Sequence, residues 1–316
     1  MRIKHPASLY APLLLLAIIL LTDLSNSLLR YTETYHDGIF LSMTIVQFVV
    51  FLLPSAFYSR MRGIKGAFIP SLMPVRFFHF PLVLFGMVVY ILGSLLLMCL
   101  GYYVHGESYF SITSVLSIPI VTDNAYLLFS CLAFVPALLE ELVFRCLFLR
   151  EYTSMGGFVA VMTSGLFFAL IHYSPEALPL LLFMGILLGA LTYITHSVLP
   201  AVLLHMATNV FLLFFEDAFI MYLNRSAKTM MIPYLLGLFL CFFLFFFFAR
   251  CQSIYTADPI EDGEESRIKS LEKLTGKTEE ATRAAPGLAL QIRQAVFSPG
   301  FILVAAICIL KFIQWL

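Results

Sequence analysis

Residues 125–149 read AYLLFSCLAFVPALLEELVFRCLFL, an apolar stretch that nevertheless carries Glu140, Glu141 and Arg145. At about 1.5 Å per helical residue it is long enough to cross the roughly 30 Å hydrocarbon core of a bilayer. A charged side chain at the bilayer centre costs about 2.5–3.5 kcal/mol on insertion scales. Three such charges come to roughly 8–10 kcal/mol, before pairing and helix-end placement lower the sum. A chain keeps such groups where they line a polar cavity or perform chemistry. The segment Glu140–Arg145 is therefore where function is to be sought.

Composition sets the class of the whole chain. Its 316 residues are 61% hydrophobic and 12% charged, with 32 Phe, and the mean hydropathy is +0.94. A soluble domain is nearer 45–50% apolar and about 25% charged. The apolar runs are continuous over about 20 residues instead of alternating over about ten, which points to helices and not to a barrel. Apolar windows fall near 9–29, 38–58, 81–103, 125–149, 156–173, 177–195, 198–216, 232–249 and 300–316. The expected fold is all-α: a polytopic transmembrane helix bundle of about 8–9 spans with a polar intramembrane cavity. The sixth and seventh windows are separated only by His196-Ser197, and Pro200 suits the first turn of the helix that follows.

The expected organisation is a transmembrane domain over 1–249, a charged cytoplasmic segment over 250–299 and a C-terminal transmembrane helix over 300–316. Within 250–299, Ile268, Leu271 and Leu274 fall at helical spacing, which suits either a short amphipathic surface helix or a solvated connector. With the N-terminus inside, short loops place nine Lys or Arg on the inner side, among them Arg60, Arg62, Lys65 and Arg150. Four lie outside: Arg30, Arg225, Lys228 and Lys311. The positive-inside rule thus favours a cytoplasmic N-terminus in a multi-pass cell or inner-membrane protein. The first apolar run continues through Leu28 and Leu29 without an Ala-x-Ala site, so it reads as an uncleaved span and not a signal peptide.

The six cysteines are scattered and form no CxxC pair, so they suggest neither a disulfide framework nor a thiolate zinc site. The terminal Gln314-Trp315-Leu316 offers no cysteine for prenylation. Glycine-rich phosphate loops and basic nucleic-acid patches are lacking. The partners expected are the lipid bilayer and a membrane-embedded or membrane-associated peptide; oligomeric state is not legible.

Three elements can carry chemistry. Glu140 and Glu141 lie about 100° apart on a helix and cannot share a face. Arg145 follows Glu141 by four residues, the spacing of an intrahelical ion pair, which leaves Glu140 as the unpaired carboxylate and the candidate general base for water. Pro136 deprives the carbonyl of Leu132 of its helical donor, so a kink or polar pocket is expected beside Glu140. His172 ends an apolar run, where a histidine is either interfacial or catalytic. His205 and Asn209 are one turn apart and point the same way; two such donors can hold an oxyanion or serve as packing glue.

EELVFR, FALIH and HMATN together resemble the EExxxR, FxxxH and HxxxN motifs of the CAAX-protease and bacteriocin-processing (Abi) intramembrane proteases. The resemblance covers roughly residues 125–215, in the family's motif order. It implies an endopeptidase in which Glu140, with His172, activates water, while His205 and Asn209 stabilise the oxyanion. Glu141 and Arg145 would support the cavity. The family is described both as metal-dependent and as glutamate-dependent; the expectation is a metal-free site without cofactor, with a zinc ion on Glu140, His172 and His205 as the alternative. A proton-coupled transporter, or a family member that binds partners without catalysis, are the competing functions.

Depth raises one difficulty. Counted from the inner ends of their runs, Glu140 and His205 sit about 15 and 10 Å deep, but His172 about 24 Å. Either the fifth helix tilts or starts deeper, or His172 stands apart from the others.

Overall fold

The structure, a computed structural model, describes residues 7–30, 37–63, 72, 74–105, 124–224, 231–257 and 288–315. All nine apolar windows are helical, and among the described residues there is no strand. The helices are α1 (Ala7–Arg30), α2 (Asp37–Arg62), α3 (Phe80–His105), α4 (Ala125–Met155), α5 (Gly157–Leu170), α6 (Leu178–Thr195), α7 (Leu199–Phe214), α8 (Glu216–Asn224), α9 (Ile232–Ala257), α10 (Leu288–Val296) and α11 (Pro299–Trp315).

The structure bears out the all-helical membrane class without confirming 8–9 spans. Among the described residues, five helices are long and apolar enough to cross a membrane, or up to seven if two bent pairs each count once. Those pairs are α7 with α8, bent by 63°, and α10 with α11, bent by 61°. Two further helices are apolar: α5, whose 14 residues are fewer than a bilayer requires, and α1, which runs 24 residues from Ala7 to Arg30. A hydropathy window counts apolar residues wherever they lie. A helix buried among others can be apolar on every side without reaching both faces. The 250–299 segment has helix at both ends, since α9 runs to Ala257 and α10 starts at Leu288. The amphipathic helix expected at Ile268, Leu271 and Leu274 lies outside the described residues.

The centre of the bundle is the α4–α5 hairpin. Its turn is set by Gly156, whose φ of 98° is a conformation that side-chain-bearing residues avoid. α6 packs along α5 and α3, α7 against α4 and α6, and α9 along α3. At the closest crossing, α5 and α6 meet glycine to glycine. A Cβ on Gly165 would lie 2.7 Å from the backbone nitrogen of Ile186, and one on Gly185 would lie 2.7 Å from the carbonyl oxygen of Gly165. Small residues let membrane helices approach this closely. Backbone cannot yield as a flexible side chain can, so Gly165→Val is expected to destabilise the protein by about 1–3 kcal/mol. Thermal unfolding in detergent would measure it.

α4 is not a uniform α-helix. Phe129–Phe134 and Phe144–Leu149 are π-helical, on either side of the α-helical Val135–Val143. Pro136 explains the first: having no N–H, it breaks the regular ladder, and the N–H of Val135 bonds instead to the Ser130 carbonyl, five residues back. π-turns of this kind often lie at functional sites. Beside Glu140 the missing N–H thus appears as a π-helical turn within one continuous span.

Candidate active site

Glu140 and Glu141 occupy different environments, as their 100° separation requires. Glu141 is fully buried. The Nε of Arg145 donates to its Oε2 at 2.6 Å and Nη2 to its Oε1 at 3.4 Å. The remaining guanidinium nitrogen, Nη1, donates to Ser164 Oγ at 2.9 Å, and Ser164 Oγ donates to the Phe144 carbonyl at 2.8 Å. The cation also lies over the Phe168 ring, 5.3 Å from its centroid. Two unit charges without water around them would lose several kcal/mol of hydration each. Here each of the three nitrogens of the cation has an acceptor, which is what makes burial tolerable.

Ser164 was not singled out from the sequence. A small hydroxyl in an apolar helix is a weak signal, because such residues usually bond their own helix's carbonyls. Its partner lies 19 residues away on the other arm of the hairpin. Ser164→Ala would leave one buried guanidinium N–H without a partner. It is expected to cost about 1–3 kcal/mol, measurable by thermal unfolding.

His205 has a partner that the sequence reading did not name. Its Nδ1 lies 3.0 Å from Glu141 Oε1. The histidine therefore joins the Glu141–Arg145 pair. An ionised carboxylate only accepts, so Nδ1 carries a proton and Nε2 faces away from Glu141. Asn209, one turn on, is half-buried, and its Nδ2 donates to the Ala133 carbonyl at 3.5 Å, the limit of a hydrogen bond. Ala133 belongs to the π-helical turn before Pro136. Between the two, Thr208 Oγ1 donates to Leu204 O at 3.2 Å, so it must accept from the Tyr90 hydroxyl 2.9 Å away. Tyr90 on α3 thus holds the helix that carries His205 and Asn209.

His172 is brought to Glu140. Its Nε2 stands 3.7 Å from Glu140 Oε2, and the two side chains are 17% and 13% exposed, against 0% for Glu141. The depth conflict disappears because α4 continues past Leu149 to Met155. Glu140 precedes Gly156 by 16 residues and His172 follows it by 16, so the two arms of the hairpin set them level. Phe144 and Phe168, also equidistant from Gly156, stack edge to face at 5.5 Å. The Phe168 ring in turn touches both histidines, 5.0 Å from His172 and 5.3 Å from His205.

The tautomer of His172 follows from its other nitrogen. Nδ1 lies 2.8 Å from the Phe168 carbonyl, which can only accept. Nδ1 is therefore the protonated atom, and neutral His172 presents an Nε2 lone pair to Glu140. Glu140 Oε2 is buried and has no hydrogen-bond partner among the described residues. Two acceptors face each other across 3.7 Å. A water about 2.8 Å from each would donate to both and satisfy them.

The zinc alternative does not fit this arrangement. A zinc ion needs its ligands about 2.0–2.2 Å from one point, whereas His205 is turned to Glu141 and His172 to Glu140. Among the described residues, no three of His, Cys, Asp or Glu are grouped to hold a metal. A water-sized cavity does exist, lined by Tyr102, Phe211, Glu216 and Phe219 among others, but none of the motif residues lines it.

No curated protein and no solved structure is significantly similar to the chain. Residues 122–211 match the family described as type II CAAX prenyl endopeptidase Rce1-like. The matched segment holds α4 to α6, α7 as far as Phe211 and every residue of the three motifs, and the family it names is one of peptide hydrolases. Over residues 122–211 this multi-pass membrane protein is thus similar to the CAAX prenyl endopeptidases, consistent with the CAAX-protease and bacteriocin-processing family.

Proposed function

We propose that the protein is an intramembrane endopeptidase in which Glu140 and His172 activate the attacking water. The observation that carries this is the partnerless Oε2 of Glu140 facing the lone pair of His172 Nε2 at 3.7 Å. A water between them loses a proton to Glu140 as its oxygen attacks the scissile carbonyl carbon. Collapse of the tetrahedral intermediate breaks the C–N bond, and Glu140 returns the proton to the leaving amine.

Negative charge develops on the former carbonyl oxygen. Asn209 Nδ2, only weakly held by Ala133, can turn to it. His205 would donate through Nε2 in the imidazolium form, reached by taking up a proton from the medium before the attack, with the Glu141 carboxylate at Nδ1 as its counter-ion. Glu141 and Arg145 thereby orient His205 as well as supporting the helix. Asn209→Ala is expected to lower kcat by about 10²-fold with KM little changed.

The reaction centre lies near the middle of a 31-residue span. The substrate is therefore a membrane-embedded or membrane-associated peptide, delivered to a site where free water is scarce. The positive-inside count orients the N-terminus to the cytoplasm. The test is cleavage of lipidated and transmembrane peptides by the purified protein in vesicles, compared with Glu140→Gln. Exhaustive chelation is expected to leave the rate unchanged; abolition by chelation, with recovery on adding zinc, would overturn the metal-free route.

A further inference from the structure

We infer that the C-terminal helix holds the turn after His172 in place, and that Tyr173 is a positioning residue for the site. Two non-glycine residues among those described have positive φ, and Tyr173, at 51°, directly follows His172. α5 tightens as it ends, with His172 N–H bonded to Ala169 O and Tyr173 N–H to Leu170 O, each three residues back. Tyr173 then takes the left-handed cap position that is usually glycine's. A bulky aromatic residue holds that conformation only when its surroundings require it.

The surroundings are supplied by the two ends of the chain. Lys311 Nζ on α11 lies over the Tyr173 ring, 4.1 Å from its centroid. The same ammonium is ion-paired with Asp23 on α1. The Tyr173 hydroxyl is buried and has no hydrogen-bond partner among the described residues, so the ring is held through its face. α10 and α11 follow α5 along its length. Gln291 sits against Gly156 at the hairpin turn, Phe301 stacks on Phe167 at 6.0 Å, and Lys311 meets Tyr173 at the far end.

Asp23 and Lys311 both lie outside residues 122–211, so this clamp is an addition to the part of the chain that carries the family's motifs. A cation over an aromatic face, itself neutralised by a carboxylate, fixes the ring without filling a hydrogen bond. Fixing the ring fixes the cap, and the cap aims the His172 imidazole at Glu140. Its catalytic consequence rests on the proposed role of His172; its structural content does not.

The experiment follows the accessibility of His172 in the full-length protein in detergent, with diethyl pyrocarbonate as probe and mass spectrometry resolving each histidine. Lys311→Met and Asp23→Asn are expected to raise the labelling rate of His172 by roughly three- to tenfold, the range set by losing one cation–π contact. Labelling of His205, buried on α7, should stay as in the wild type. Lys311→Arg keeps both the cation over the ring and the ion pair, and should behave as wild type. Peptide cleavage should show a matching fall in kcat at unchanged KM.

Unchanged His172 labelling in both Lys311→Met and Asp23→Asn would overturn the clamp. So would an equal rise at His205 in both, which would mean general loosening. If His172 labelling rises as expected while His172→Ala cleaves peptide at the full rate, the clamp stands and the catalytic role of His172 fails.

Discussion

Glu140→Gln is expected to lower peptide cleavage by roughly 10²–10⁴-fold, the usual contribution of a positioned acid–base group, while the protein stays folded. Both halves follow from its surroundings. Gln has the shape of Glu but cannot take a proton from water. Glu140 is partly exposed and its Oε2 has no hydrogen bond to lose. A Gln amide at this place can instead donate to His172 Nε2, 3.7 Å from the present oxygen. Thermal unfolding should therefore shift little while turnover collapses. Cleavage that survives in Glu140→Gln would sink the proposed mechanism. Loss of folding together with activity would show Glu140 to be structural, as Glu141 is.

Arg145→Met is expected to destabilise the protein by about 3–5 kcal/mol, the penalty for leaving one partner of a buried pair unneutralised. That is a large share of the roughly 5–15 kcal/mol that holds a typical domain together. Glu141 would remain fully buried with His205 as its one remaining charge partner. Ser164 Oγ would lose a donor and the Phe168 face its cation. The double variant Glu141→Gln, Arg145→Met removes both charges and should recover much of the loss. Lys at 145 should not, because an ammonium cannot meet the carboxylate, Ser164 and the ring together. The measurement is a double-mutant cycle of unfolding in detergent; additive single effects would mean that the pair is not coupled as its 2.6 Å contact implies.

Much of the site was legible in the sequence, and the reason is helical geometry. The four-residue step from Glu141 to Arg145 gives their pairing, and the 100° step from Glu140 to Glu141 puts the two carboxylates in different places. Pro136 marks the break in the ladder. What the sequence misjudged was length. Ending the fourth helix near Leu149 put Glu140 and His172 at different depths, and counting apolar windows did not by itself fix the number of full spans. The helix end was missed because the chain turns polar at Arg150 while its helix goes on to Met155, and spans are hard to count because hydropathy does not distinguish lipid from neighbouring protein.

Composition and periodicity by themselves determined an all-helical membrane chain and the order of its three motifs, since bilayer thickness and helical rise act on each segment separately. Partners between segments were decided by the tertiary structure. His205 meets Glu141 across 64 residues, and Lys311 meets Asp23 across 288. Such contacts follow from how helices cross and where the α4–α5 hairpin turns. At Gly156 the backbone conformation fixes that turn and sets Glu140 level with His172. At Gly165 and Gly185 the absence of two Cβ atoms lets the helices close. No local pattern encodes that register, because it is the sum of packing along whole helices. The charges of Glu140–Arg145 are visible in one stretch of chain; what each of them touches is not.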